Sequence, residues 1–597
     1  MSTGATDLQD VAWDLEPLVD GGGPEGADRF LADADERAAR FAERHAGRVG
    51  ELDGPGLAEA VAELEAIGEL VGRAGSYAHL RFSVDTAAPA NGALLQRYQE
   101  KGTAIETKLL FFELEWAALD DEKAEELLAT DGLDFCRHHL RTARRYRPHL
   151  LTEPEEKILA VKAISGRNAW TRLFEEQSSA ITVELEDGPV SLEQALARLF
   201  SPDREVRRDA AERVTAALAP GLRTRAYIFN TLLADKMVED RLRSYPHWLA
   251  ARNLANEASD ESVQALIEAV RGRFEVPRRW YRLKAKLLGL DRLADYDRMA
   301  SVTDEDVQVG WSDARRLVHE SYEAFSPELG RIVGGFFEGP YIDGPVRPNK
   351  RNGAFCAFTV PEVHPYVLLN YTGRRRDVQT LAHELGHGVH AVLGAQQGIF
   401  HMTTPLTMAE TASVFGESIV FGRLLEQATE PESRLALLAE NIEDAIATVF
   451  RQVAMNRFEH LVHTTRRSEG ELAAPRLSEL WAESQTELLG DAVDITEGYR
   501  TWWSYVPHFI NTPGYVYAYA YGQLLAMAVY ARYEAEGEGF VPAYIELLSA
   551  GGSRSPEELG QIVDCDLTDP GFWDQGLSLI EGKLEAAEQA ARDSGRI

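Results

Sequence analysis

Thr380-Leu381-Ala382-His383-Glu384-Leu385-Gly386-His387-Gly388-Val389-His390 is the stretch around which the rest of the chain is read. It carries the H-E-x-x-H pattern of a metal-binding helix. Four residues of α-helix advance the chain by about 400°, so the imidazoles of His383 and His387 share one face, a turn apart. Two ring nitrogens can then converge on one cation. Glu384, offset by about 100° from His383, can reach a water at the metal without ligating it. The flanks agree with a helix. Asp377 reads as its N-cap and Gly394 as its stop. Val378, Leu381, Leu385, Val389, Val392 and Leu393 recur at helical spacing and form an apolar stripe beside the ligand face. The plain alternative is a helix with two surface histidines.

A catalytic zinc takes three protein ligands and keeps a fourth position for water. The long form of the motif needs Gly at 390 and His at 393, where this chain has His390 and Leu393. The reversed H-x-x-E-H order is absent as well. Downstream of His387 the first acidic residue is Glu410, in Thr407-Met408-Ala409-Glu410-Thr411-Ala412-Ser413-Val414-Phe415-Gly416-Glu417. That segment reads helical, which puts Glu410 and Glu417 on one face. Glu410 is the candidate third ligand and Glu417 an acceptor for a ligand imidazole. His390 and His401 compete for the third place.

With these residues assembled, the chain resembles the thimet oligopeptidase and oligoendopeptidase F family of zinc metallopeptidases. The resemblance rests on His383-Glu384-Leu385-Gly386-His387-Gly388-Val389-His390, Glu410-Thr411-Ala412-Ser413 and Glu417. It extends upstream to Arg347-Pro348-Asn349-Lys350-Arg351-Asn352-Gly353-Ala354-Phe355 and downstream to His508-Phe509 and Pro513-Gly514-Tyr515-Val516-Tyr517-Ala518-Tyr519. Two departures leave the ligand candidates untouched: a slightly short stretch between His387 and Glu410, and Gly514 where many relatives carry a bulky residue.

The resemblance implies a mainly α fold of two helical lobes flanking a deep channel, with one Zn2+ per chain on its floor and a small β-sheet beside the motif helix. It implies hydrolysis of internal bonds in short peptides, with Glu384 as general base. His508, Tyr515 and Tyr519 would face the zinc across the channel and steady the oxyanion. Gly353, Ala354 and Phe355 would offer an edge along which an extended peptide pairs its backbone. A metallocarboxypeptidase on a similar helical channel is the rival enzyme, and a non-catalytic peptide-binding scaffold the rival of another class. An aminopeptidase of the Gly-Ala-Met-Glu-Asn type is disfavoured, because Gly353-Ala354-Phe355-Cys356-Ala357 lacks an acid to hold a free amine.

Composition narrows the partners. A net charge of −34 repels nucleic acid and anionic lipid, and no basic patch with interleaved aromatics opposes it. No apolar run is long enough to span a membrane. Cys136, Cys356 and Cys565 lie far apart, giving neither a disulfide framework nor a Cys-x-x-Cys pair. The opening residues 1–7 have no basic or apolar leader, so a cytoplasmic enzyme is expected. No oligomeric state is read from the sequence.

Amphipathic helices are predicted over 27–46 and 56–73, with the apolar Leu109–Trp116 segment as core. Ile181-Thr182-Val183-Glu184-Leu185 alternates like a strand and meets the turn signal Asp187-Gly188-Pro189. A boundary near 190 divides an N-terminal helical lobe, 1–190, from a catalytic region, 191–597. Strands are predicted over 354–360 and 366–370, and helices over 476–490, 515–535 and 556–563. Tyrosines at 515, 517, 519 and 521 cannot share one helical face, so some must pack while others point elsewhere.

Overall fold

The computed structural model describes residues 8–302, 308–351, 353–569 and 571–597; residues 1–7 and Asn352, both read above, lie outside them. The described chain is predominantly helical. By packing it forms two compact units, each discontinuous in sequence. Met1–Arg147, Asp306–Leu424 and Val529–Leu567 make the first, and Pro148–Glu305, Leu425–Ala528 and Thr568–Ile597 the second. The chain leaves and re-enters each unit, which local pattern cannot register. No described helix is long and apolar enough to cross a membrane.

In the first unit three long helices, Gly23–His45, Gly54–Val84 and Pro89–Ala118, pack on one another. Each has Pro in its first turn, where the missing N–H costs nothing. Leu31, Phe41, Leu57, Ile67, Phe112 and Trp116 are buried among them, so the aromatics of 109–116 contribute to the core as predicted. Tyr366 joins that core from the sheet and donates its hydroxyl to the Asp14 carbonyl at 2.8 Å.

The sheet has three strands in the order Ile342–Pro345, Tyr366–Tyr371, Phe355–Ala357, the first pair parallel and the second antiparallel. Phe355 pairs with Leu368, Cys356 with Val367 and Ala357 with Tyr366, leaving Phe355–Ala357 as an outer strand. Both predicted strands exist, the first much shortened, and Ile342–Pro345 went unread because Gly344 and Pro345 hide its pattern. Buried Lys350 ties the entry to the outer strand. Its ammonium donates to the carbonyls of Asp343 and Pro345 at 3.1 and 2.8 Å and pairs with the Asp343 carboxylate at 2.6 Å.

The motif stretch lies within one helix, Arg375–Gly394, which ends at the predicted glycine. Asp377 is not its N-cap. The helix starts earlier, and the Asp377 carboxylate reaches back to accept from Thr372 N, Thr372 Oγ1 and Arg374 N at 2.7, 2.7 and 3.1 Å. Nor is 407–417 one helix. A turn, Leu406–Ala409, ends at Glu410 and Thr411–Gln427 begins after it, so Glu410 occupies the break.

The motif helix and Thr411–Gln427 pass very close, and two glycines allow it. A Cβ on Gly386 would overlap the Ala412 carbonyl and lie 2.6 Å from Ser413 Cα. One on Gly416 would strike the Tyr322 hydroxyl, which donates to the Ala382 carbonyl at 2.9 Å.

In the second unit, helices Arg204–Leu218, Leu222–Leu242, Arg451–Glu469 and Ala474–Leu489 surround Phe229, Phe458, Trp481, Trp503 and Phe509. The strand predicted at 181–185 forms a hairpin, Thr182–Leu185 with Gly188–Ser191, through the expected turn. Helix Tyr517–Glu536 resolves the tyrosine run. Tyr517 and Tyr521 are buried, their hydroxyls on Asn256 and Ser262 at 3.0 and 3.1 Å, whereas Tyr515 and Tyr519 are only half-buried.

Candidate metal centre

His383 and His387 project from successive turns with their Nε2 atoms 3.2 Å apart. Glu410 Oε2 lies 3.5 Å from the first and 3.6 Å from the second. Each of these residues offers a ligand atom within 4.8 Å of the others, and among the described residues no other such group is found. A tetrahedral centre with bonds of about 2.0–2.1 Å has edges of about 3.3–3.4 Å. The three separations fit such a face, and two imidazoles with a carboxylate are a donor set suited to zinc.

Each ligand candidate is steadied from behind. His383 Nδ1 hydrogen-bonds Glu417 Oε1, fixing which nitrogen faces the centre. His387 bonds the Ala409 backbone, and Ser413 Oγ donates to Glu410 Oε2 at 2.7 Å. The break at Glu410 allows all this: it turns the carboxylate toward the histidines while Thr411–Gln427 carries Glu417 to the far side of His383.

The electrostatics are those of crowded, buried groups. Burial, opposed by His383 and reinforced by Glu410 and Glu417, lifts the Glu384 carboxyl to about 7. Its ionised form accepts from the Cys356 backbone N–H, so the outer strand helps to hold it. Burial works against a charge on His383, yet Glu417, with Glu410 and Glu384 adding to it, raises that imidazole to about 9. Burial pushes His387 down.

The competing histidines are elsewhere in their contacts. His390 is buried against Phe358 with Nδ1 unpartnered, and His401 Nε2 accepts from the His139 backbone N–H at 3.0 Å. Gly353, with a left-handed φ of 81°, leads through Ala354 into the outer strand at Phe355. In the second unit His508 Nε2 lies 3.3 Å from the Tyr519 hydroxyl, and the Tyr515 and Tyr519 rings meet edge to face at 4.9 Å. Gly514, at φ 76°, turns the chain between them and donates its N–H to buried Glu459 at 2.7 Å. Sequence reasoning missed Ser413 as an orienting group, the Cys356 N–H, Tyr322 and Glu459. Only Ser413 carried a signal, three residues after Glu410 in the same motif.

A helix-borne histidine pair closed by a carboxylate, with a buried carboxyl alongside, is the donor set that a metal-dependent hydrolase needs. The sequence profile of Peptidase family M3 matches residues 198–579, and that of Oligopeptidase F matches 115–182. Oligopeptidase PepF of Bacillus subtilis is 26% identical over 543 residues, 89% of this chain and 81% of that protein. Group B oligopeptidase PepB of Streptococcus agalactiae is 26% identical over 526 residues, 86% of each. The crystal structure of oligoendopeptidase-F from Enterococcus faecium shares the fold with a TM-score of 0.72 at 23% identity, covering 95% of this chain and 98% of that one. The chain belongs to peptidase family M3 and is an enzyme of that class, a metallo-oligopeptidase.

Proposed function

We propose that this chain is a zinc-dependent endopeptidase of short peptides, with His383, His387 and Glu410 as ligands and Glu384 as general base. The observation that carries the reading is the convergence of those three ligand atoms beside a buried carboxyl lifted to about 7. Zinc, when bound, supplies Lewis acidity that polarises a peptide carbonyl and acidifies a coordinated water.

The chain's own groups do the rest. Glu384 takes the proton of the attacking water and returns it to the leaving amine. Glu417 keeps His383 Nε2 free for the ligand role by occupying Nδ1. Among the described residues the outer strand entered through Gly353, Ala354 and Phe355 has a strand on one side only, and an extended peptide would add its backbone along the other. His508, Tyr515 and Tyr519 are assigned to the oxyanion on the family resemblance, supported by their clustering around the Gly514 turn. Three free cysteines are consistent with a cytoplasmic setting.

Glu384→Gln tests the assignment of the base. It should bind zinc stoichiometrically and lose nearly all turnover of a short peptide. Retention of substantial activity would show that another group takes the proton.

A further inference from the structure

The loop that leads into the outer strand is fastened to its surroundings through the backbone. Arg351 N donates to the Ser83 carbonyl at 2.8 Å, at the C-terminal end of helix Gly54–Val84. Asn370, on the middle strand, donates through Nδ2 to the carbonyls of Arg351 and Gly353 at 2.9 and 2.8 Å. The Arg351 side chain therefore grows from a fixed root. It is exposed, and it folds back along the strand. Its guanidinium carbon stands 5.5 Å from the centre of the Phe355 ring, and Nη1 donates to His79 Nε2 at 3.3 Å. The His79 ring is 5.9 Å from that of Phe355, which forms the apolar floor of a small cationic corner.

Among the described residues no carboxylate pairs with Arg351, in a chain that carries 96 acids against 62 lysines and arginines. Asp85, just past the helix end, accepts from Ala87 N and Ala88 N at 3.1 and 3.2 Å, and Asp343 takes Arg347 and Lys350. Burial, with the Arg351 charge adding to it, holds His79 below its ordinary value, so it serves as a neutral acceptor that orients the guanidinium. His79 occupies one N–H group, and the rest are left to meet a carboxylate in a planar two-point contact.

This corner lies on the strand that meets the candidate metal centre. Phe355 precedes Cys356, whose backbone N–H holds the Glu384 carboxylate. Arg351, His79, Phe355, Glu384 and the ligand candidates all belong to the first compact unit. Each residue of extended strand advances the chain by about 3.3 Å. A peptide laid along the outer side of this strand, with its scissile bond at Glu384, thus passes Arg351 within a few residues of the cut. Antiparallel pairing, the more stable of the two ladders, runs the C-terminal part of that peptide toward Gly353 and Arg351.

We propose that Arg351 is a specificity-determining residue that binds a free carboxylate of the peptide on the C-terminal side of the cut. The proposal rests on the peptidase reading above for the identity of its ligand. A carboxylate has two sources in a peptide, the chain end and an acidic side chain. A chain-end anchor fixes the length of the C-terminal product. A side-chain anchor fixes the cut relative to the acidic residue.

Three N-acetylated peptides of one sequence separate these: a free acid without acidic side chains, its C-terminal amide, and an amide carrying one Glu. Their equilibrium binding is measured on zinc-loaded Glu384→Gln enzyme with and without Arg351→Met, while wild type is assayed for hydrolysis. At least one carboxylate-bearing peptide should bind about tenfold more tightly than the plain amide, the usual worth of a charge-assisted hydrogen bond. Arg351→Met should remove that advantage, and Arg351→Gln serves in its place where Met does not fold. Product masses from the wild type then name the source. Equal binding of all three peptides, an advantage that survives the loss of Arg351, or a loss shared equally by all three overturns the proposal. An advantage that behaves as expected without hydrolysis by wild type leaves Arg351 as a carboxylate subsite and overturns the peptidase reading instead.

Discussion

At the scale of single residues, the role assigned to Tyr515 predicts a kinetic signature. Removing one oxyanion donor usually costs about 10²–10³ in kcat. Tyr515→Phe keeps the ring that meets Tyr519, so packing alone forecasts a small effect. Steady-state kinetics should show kcat reduced by about 10²–10³ with KM nearly unchanged. A near-normal kcat removes Tyr515 from the chemistry and leaves His508 to be tested. The ligand candidates were legible in the sequence because two of them obey helical spacing and the third is the first acid downstream. Their supports were legible only in part. Glu417 could be read as an acceptor for a ligand imidazole, but on the assumption of one continuous helix, whereas the break at Glu410 is what brings it to His383 Nδ1. The Cys356 N–H on Glu384 could not, since a backbone donor has no side-chain signal.

At the scale of elements, the close passage of two helices sets the centre, and Gly386 is its tightest point. Adding one methyl there forces the Ala412–Ser413 backbone outward. Overpacking of this kind typically costs about 1–3 kcal/mol. Gly386→Ala should therefore lower the melting temperature and weaken zinc binding, because Glu410 and Glu417 flank the displaced segment. Unchanged zinc affinity would mean that the passage does not set the ligand geometry. The turn at Gly514 makes a second prediction, through Glu459. Burial lifts this carboxyl to about 8, above its value in the unfolded chain. Between the unfolded and folded values the folded state holds the extra proton, so raising the pH through that window costs stability. The slope for one such group is at most about 1.4 kcal/mol per pH unit. Glu459→Gln, neutral throughout, should be more stable than wild type near pH 8, with the gap closing toward pH 5. A gap independent of pH would count against the buried, protonated state. Helices and the hairpin were readable because caps, prolines and periodicity act locally. The helix break at Glu410 was not, since Ala409-Glu410-Thr411 carries neither Gly nor Pro.

At the scale of the whole molecule, the mainly helical class was legible from periodicity and motif order. The two compact units were not, because each is assembled from three separate segments and long-range packing leaves no local mark. Everything proposed for the enzyme turns on one metal in one place. Diffraction data collected on either side of the zinc absorption edge, from crystals of protein purified without chelator, address that directly. One anomalous peak per chain is expected about 2.0–2.1 Å from Nε2 of His383, Nε2 of His387 and a Glu410 oxygen. A peak ligated by His390 or His401 in place of Glu410, or an active crystal form without a zinc peak among these three residues, would contradict the account.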